Sequence, residues 1–480
     1  MPTHTPALHA TTTATAPITP TRAQLQRVRW SLVTMFGLFG IVQTSWMGRL
    51  PSVRESLDIT AGQLGGVLVI GAVGSLVGVT LTGAIIVRFG SRATLRLGMV
   101  GTVVGFALVG AGTALGSVPL FSAGLLLNGL VVAATNVPIN LEAARVEKLL
   151  RTSILPHVHA SFSVGALLGS AVAAATSTFQ IHVAWHIVGV ALLVTVGRAV
   201  LIAPGTELAD APLRVSRRTR AIETADDAER RRVARRNGSG GVLRAWTERR
   251  TLLIGLVILA ASMSEGAAAN WLNLGVVDGF ATREAVGAAA YGTFVVAMLT
   301  VRLLGAGLID RFGRVTVLRA SGVSALVGLL AFGLSPNLPL AWAGIALWGV
   351  GAAMAWPLGT AAAADDPTRA AARVSVVGSF GSIASLSMPP VLGLLADSWG
   401  VRQALLVITV AMVISLAAAK AARPETARSD VPASEAARSE APAPRDTAES
   451  AAVPVQVRGQ RLDDADVAVQ PVHVEEPVGV

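Results

Sequence analysis

The sequence predicts an all-α membrane protein: twelve transmembrane helices in two six-helix bundles related by a pseudo-twofold axis. Three observations carry this expectation. Of 480 residues, 52% are hydrophobic and only 14% charged, a balance that water-soluble globular chains do not keep. Apolar windows of about 20 residues, the length that crosses a hydrocarbon core of roughly 30 Å, recur along the chain. Finally, Arg88-Phe-Gly-Ser-Arg-Ala-Thr-Leu-Arg96 returns as Arg311-Phe-Gly-Arg-Val-Thr-Val-Leu-Arg319, a short basic turn at the same place in each half. Duplicated bundles of this kind rock about a shared central site and so give alternating access.

The windows fall near 29–50, 62–87, 94–116, 118–143, 155–179, 183–203, 252–274, 286–309, 314–334, 338–362, 373–396 and 401–420. Six-helix halves at 22–203 and 251–421 therefore flank a charged linker, 204–250, with tails at 1–21 and 422–480. The first tail is Thr, Pro and Ala and carries no basic-then-apolar leader design. The last is Pro, Ala, Ser and Glu without periodicity and is expected to be disordered. Within the linker, Arg217–Arg236 mixes Arg with Glu223, Asp226, Asp227 and Glu229 at spacings that suit a surface helix. Small residues recur four apart at Gly62/Gly66, Gly74/Gly78, Gly101/Gly105 and Gly165/Gly169, which predicts close helix packing in lipid. Trp30, Trp185, Trp342 and Trp399 fall near span ends, where indole sits well among headgroups.

The formal net charge is +10, and its placement argues against a nucleic-acid partner. Arginine sits in the N-terminal tail, in the turns after spans two, four, eight and ten, and most densely between Arg214 and Arg250. The opposite loops hold only Arg49, Arg54, Arg283 and Arg402. That alternation is the positive-inside pattern and puts both termini in the cytoplasm. With no cysteine, thiol chemistry and disulfides are excluded. No phosphate cradle, metal-ligand cluster or nucleophile triad rises above chance, so no catalytic residue, metal or cofactor is expected and the chain is not read as an enzyme.

Ionisable groups at membrane depth cost at least about 2.5–3.5 kcal/mol each, so they flag a pathway. In the fourth span, Asn136, Asn140 and Glu147 fall within about 40° of one another at 100° per residue, while Glu142 points elsewhere and Pro138 bends the helix. Two readings of the stripe stand. Either the amides line a wet cavity and bind a polar solute, or they hydrogen-bond between helices, with Glu147 at the mouth paired to Arg145 or Arg151. In the seventh span, Glu265 stands among Ala, Ser and Gly, the setting of a proton-coupling carboxylate. Its one intramembrane candidate partner is Arg302, which residue counting at about 1.5 Å each places perhaps 10 Å away in depth. Gln43, Trp46, Asn270 and Trp271 complete a candidate solute cavity, with Tyr291 and Trp356 as rings that stack on a ligand or pack in the core.

The turn Gly307-Leu-Ile-Asp310-Arg-Phe-Gly-Arg314 resembles the signature loop between the second and third helices of each half in the major facilitator superfamily. Arg49-Leu-Pro51, Asn136 to Asn140 with Val146-Glu147, His159-Ala-Ser-Phe-Ser-Val-Gly165, Glu265-Gly266, Trp271 and Arg302-Leu-Leu-Gly305 are similar to a bacterial branch distantly related to the proton-coupled fucose permease. The resemblance covers about residues 29–421 and implies the major facilitator fold. It also implies an inner gate drawing on Arg88, Glu147, Asp310, Arg311 and Arg314, in which Asp310 meets the positive end of a neighbouring helix. Val87 stands where the first copy of the loop has its acid, and amides stand at Asn136 and Asn270 where the branch often has aspartate. That leaves Glu265 to titrate. The expectation is a monomeric, multi-pass secondary transporter in the bacterial cytoplasmic membrane. It moves a small polar or amphipathic solute, coupled to protons and leaning to export, since no dense set of hydrogen-bonding side chains suited to one sugar is visible. A sugar-like nutrient importer is the alternative, and a transport-fold sensor or scaffold without transport is another.

Overall fold

The computed structural model describes residues 20–150, 152, 154–209, 241, 243–366 and 369–425. The linker helix expected at 217–236 and both expected tails lie outside these, apart from a few flanking residues. Helix α1 (Arg22–Met47) starts at a capping box, the Thr21 hydroxyl accepting from the Gln24 N–H while the Gln24 side chain accepts from the Thr21 N–H. Thr60 and Gln63 repeat the device at the start of α3 (Ala61–Ala114), after the short α2 (Leu50–Leu57).

Helix α3 has 54 residues, about 81 Å at 1.5 Å per residue, too long for one crossing. It reverses at Gly90 (φ 79°, ψ 168°). Gly313 (φ 76°, ψ 155°) makes the same turn between α9 (Glu284–Phe312) and α10 (Arg314–Leu334). Side chains avoid that region of backbone space, so the glycine of the repeated Arg-Phe-Gly is a steric requirement of a one-residue reversal between antiparallel spans.

Helices α4 (Val118–Leu150), α5 (Leu155–Thr178) and α6 (Val183–Gly205) complete the first half. The second half opens with α7 (Arg249–Ala267), which passes through a π turn (Ala268–Leu272) into α8 (Asn273–Phe280). After α9 and α10, one span is broken into α11 (Leu338–Ala352) and α12 (Ala355–Ala363). Helix α13 (Ala370–Trp399) follows, and beyond Gly400 α14 (Val401–Ala404) and α15 (Ile408–Ala418) form the last span. No strand occurs among the described residues.

Among the described residues, ten stretches are long and apolar enough to cross a membrane. One of them is the double span α3, and α1 is the twelfth crossing, its hydropathy lowered by Gln43, Thr44 and Ser45. Val79, Leu81, Leu193, Val200, Leu303 and Leu394 are each more than half exposed, a belt that only lipid satisfies. The halves repeat their packing: α1 lies on α5 and α6 as α7 lies on α13 and α15, and α3 lies on α4 and α6 as α10 lies on α11 and α15. They meet along two seams, α3 on α13 and α5 on α9. Within the first half the approach is close: a Cβ on Gly165 would stand 2.0 Å from the Gly37 carbonyl oxygen, and one on Gly40 2.3 Å from that of Phe162. Gly66, expected to pack with Gly62, instead faces open space.

Candidate functional site: a cavity between the halves

A cavity of about 240 Å³ opens between the bundles. Gln43 and Trp46 of α1, Asn128 of α4, Asn270 and Trp271 of the π turn and Ser385 of α13 line it. The π turn widens the helix by one residue per turn, which swings Asn270 and Trp271 into the wall. It is held there by Asn273, whose side-chain amide donates to the Gly48 carbonyl at the end of α1. Gly48 also lets the end of α1 pack closely on α5, because a Cβ there would lie 2.5 Å from that of Ala173.

Of the residues expected around a solute, Gln43, Trp46, Asn270 and Trp271 line this cavity. Asn136 and Asn140 sit further along α4, half-buried, the Asn140 amide donating to Asn136 Oδ1 at 2.6 Å and to its carbonyl at 2.9 Å. Asn128, two turns before Asn136, takes the cavity position instead. Tyr291 stacks on Phe294 with centroids 6.1 Å apart. Trp356 lies against Gly381, beside the cavity residue Ser262.

Glu265 and Arg302 are in contact, contrary to the separation that residue counting gave: Arg302 Nη2 donates to Glu265 Oε1 at 2.9 Å. Counting places Cα atoms, whereas the long arginine side chain runs along the helix to reach its partner. A backbone defect anchors it. Pro357 has no N–H to give the Ala353 carbonyl four residues back, and that carbonyl accepts from Arg302 Nε at 3.1 Å. Both side chains keep about 30% of their surface accessible (31% and 29%).

One face of the molecule, where α2 lies, is bracketed across the halves. Glu284 accepts from the Ser52 N–H (3.0 Å) and hydroxyl (2.6 Å), and Arg49 Nε stands 2.7 Å from its carboxylate as a charge contact outside hydrogen-bond alignment. Arg54 binds Asp278 through both terminal nitrogens at 2.7 and 3.1 Å, and the Thr60 hydroxyl donates to Asp397 at 2.9 Å. Sequence reasoning missed this bracket, although Arg49 and Arg54 stood out there as exceptions to the charge bias.

On the opposite face, where the linker joins, ion pairs among the described residues stay within one half. Arg145 pairs with Glu142 at 3.2 Å, and Glu147 accepts from the Ile154 and Leu155 N–H groups at 2.8 and 3.1 Å, capping α5. Arg314 and Arg250 converge on Asp365 at 2.6 and 2.9 Å, and Arg373 holds Glu248 and Glu425. Burial pushes the carboxyls of Glu248 and Asp365 up, but hydrogen bonds and charge from their arginines outweigh it and hold both below the usual range. Asp310 is exposed and joins no ion pair among the described residues. Arg88 and Arg311 each lie over the next ring, Phe89 and Phe312, at 5.4 and 5.3 Å.

Comparison with known proteins agrees with this architecture. The family model for the Major Facilitator Superfamily matches residues 254–462. The Uncharacterized transporter y4wD of Sinorhizobium fredii is 30% identical over 368 residues, covering 76% of this chain and 90% of its own. The crystal structure of a D-xylose-proton symporter superposes with a TM-score of 0.62 at 14% identity, covering 83% of this chain and 97% of its own. The E. coli fucose:proton symporter gives 0.53 at 14%, covering 83% and 98%. Twelve spans in two matched halves around a shared cavity, with a relative this similar over nine-tenths of its length, place the chain in the major facilitator superfamily as a membrane transporter.

Proposed function

We propose that the chain moves a small polar solute by alternating access, driven by protons through the Glu265–Arg302 pair. The charge bias puts the linker face, with Arg88, Arg92, Arg96, Arg311, Arg314 and Arg319, in the cytoplasm, so the bracketed α2 face is external. On that assignment the polar contacts support an inward-facing state: those at the α2 face cross between the halves, whereas the ion pairs among the described residues at the linker face stay within one half.

The observation that carries the coupling is the accessible ion pair at membrane depth, 2.9 Å long and beside the cavity wall residues Ser262 and Gly266. A proton on Glu265 neutralises the carboxylate and frees Arg302, which keeps the Ala353 carbonyl. Tyr291 on α9 lies within electrostatic reach of both groups and His159 on α5 within reach of Arg302, so the pair stands beside the seam between α5 and α9. The lean to export rested on a sparse set of hydrogen-bonding groups. The cavity instead gathers Gln43, Asn128 and Asn270 with Ser262 and Ser385, which supports uptake of one specific solute, in line with the proton symport for which two structural neighbours are named.

The test needs no substrate, because the chain has no cysteine. With Ser385→Cys as the single reporter, labelling by an impermeant maleimide added at the α2 face is expected to vary with pH. Glu265→Gln is expected to flatten that profile. A Glu265→Gln profile that overlays the parent rejects coupling through Glu265.

A further inference from the structure

We propose that a groove between α9 and α10 binds one anionic phospholipid of the leaflet at the linker face, with an acyl chain along the groove and the phosphate at the start of α10. The site lies on the lipid-facing side of the second half, apart from the solute cavity, and does not depend on proton coupling.

The groove follows from how the second half packs. Helices α9 and α10 are joined by the reversal at Gly313, yet each packs far more on α11 than on the other. The wedge left between them holds about 350 Å³, walled by Val301, Leu308 and Phe312 of α9 and by Val317 and Ala320 of α10, with Val350 contributed by α11. Phe312 lies eleven residues beyond Val301, about 16 Å of helix, or roughly half of a 30 Å hydrocarbon core. The groove therefore runs the depth of one leaflet and opens at the end where Arg311 and Gly313 lie.

The first half is built differently at the same places. Ten residues before the arginine of Arg-Phe-Gly it has Gly78 where the second half has Val301, and a Cβ on Gly78 would stand 2.4 Å from the Leu130 carbonyl oxygen. Five and nine residues after that arginine it has Ala93 and Leu97 in place of Thr316 and Ala320. The shared fold therefore does not require the groove. A bulkier Val301 and a smaller Ala320 in the second half make room for it.

Hydrocarbon alone cannot select an occupant, because bilayer tails are as apolar as the groove wall. The headgroup end supplies the selection. Arg311, its guanidinium 5.3 Å from the ring centroid of the groove residue Phe312, and Arg319, next to Ala320, are both exposed and join no ion pair among the described residues. Arg314 is engaged by Asp365 at 2.6 Å. Asp310, exposed at the same turn, offsets one of the two free charges, so the mouth stays net positive. Helix α10 begins at Gly313 with no side-chain cap, which leaves first-turn N–H groups open to an anion. Thr316 of that turn lines the groove, and its hydroxyl has no partner among the described residues. Two guanidinium groups, open N–H donors and a hydroxyl at the mouth of an apolar slot match a phosphodiester that carries acyl chains.

The full-length protein, purified in detergent, is titrated by native mass spectrometry with phosphatidylglycerol, with phosphatidylcholine of matched chains, and with glycerol 3-phosphate as a headgroup without chains. The expected result is one phosphatidylglycerol per chain, held at least about fivefold more tightly than phosphatidylcholine and not displaced by glycerol 3-phosphate. Arg311→Gln and Arg319→Gln are each expected to weaken it about fivefold, the worth of one arginine against an anionic headgroup. Ala320→Leu, which places in the groove the side chain that the first half carries as Leu97, is expected to weaken both lipids alike. Arg96→Gln, the first-half counterpart of Arg319, is expected to change nothing. All four positions are exposed, and a variant that loses its melting transition is replaced by Thr316→Val with the expectation of weaker phosphatidylglycerol binding. Equal affinity for the two lipids, phosphatidylglycerol held within about twofold of the parent by Arg311→Gln, Arg319→Gln and Ala320→Leu, an equal loss in Arg96→Gln, or equally tight binding of glycerol 3-phosphate would each overturn the proposal. None of these readouts involves transport or Glu265, so failure here leaves the coupling proposal standing.

Discussion

Glu284→Gln isolates the bracket at the α2 face. Arg49 and Glu284 are 5% and 10% exposed and belong to opposite halves. Breaking a buried pair by neutralising one partner costs about 3–5 kcal/mol because the remaining charge stays desolvated. Here the low end applies, since Arg49 keeps Thr176 Oγ1 and Ser52 Oγ at 3.3 Å and the Ile181 carbonyl at 3.1 Å. The penalty falls only on the state that brings the halves together at this face, because water solvates both groups once they part. About 3 kcal/mol then shifts the equilibrium toward a state open at the α2 face by about 100-fold. The Ser385→Cys reporter measures this as a faster labelling rate from the α2 face, up to the point where labelling is limited by its own chemistry. Arg49→Gln is expected to act in the same direction, and the double variant to shift less than the two single changes together, since they share one contact. A Glu284→Gln rate within threefold of the parent would refute the idea that this pair holds the external side shut.

Two further changes probe other parts of the molecule. Glu248 and Asp365 have folded values held below their ordinary 4.5 and 3.8. Their stabilisation is therefore fully present above those ordinary values and fades as pH falls through the depressed folded ones. Melting in detergent should be flat from neutral pH to about 5 and then decline, and Asp365→Asn should shrink the decline; a slope unchanged by Asp365→Asn would rule this out. Arg198 is fully buried in the first half and, among the described residues, bonds only Thr135 Oγ1 at 2.6 Å and Thr102 Oγ1 at 3.5 Å, with no partner for Nε. Replacing such a cation by Met of similar shape is expected to leave the melting temperature unchanged or raise it. A marked loss of stability in Arg198→Met would point to an anionic partner for that guanidinium.

Much of this was legible in the chain because it depends on local physics. Span length follows from bilayer thickness, and the glycine of Arg-Phe-Gly follows from a reversal that only positive φ allows, so both survive without knowledge of neighbours. The cavity was read in part. Gln43, Trp46, Asn270 and Trp271 are large polar or aromatic groups that an apolar span would otherwise exclude. The fourth span misled, because helical periodicity gives the direction of a stripe but not the depth at which the halves part. Asn136 and Asn140 turned to each other, while Asn128, in a run that reads as plain apolar, reached the cavity. The bracket was invisible for a different reason: Ser52 and Glu284 are far apart in sequence, and no periodicity links residues on separate halves.

The two faces also differ in how they spend their charge. At the linker face, carboxylates pair with arginines of their own half, Asp365 with Arg250 and Arg314, and Glu248 with Arg373. These contacts move as a unit when the halves rock, so they stiffen each bundle without favouring a state. At the α2 face, Glu284, Asp278 and Asp397 bind across the halves to Ser52, Arg54 and Thr60, and every one of those contacts must break for that face to open. On the proposed coupling, a bias set at one end leaves the other free to respond to the Glu265–Arg302 pair. On the proposed mechanism, with the bracket setting the resting state and the Glu265–Arg302 pair acting as the switch, charge needs to cross the halves at one face only.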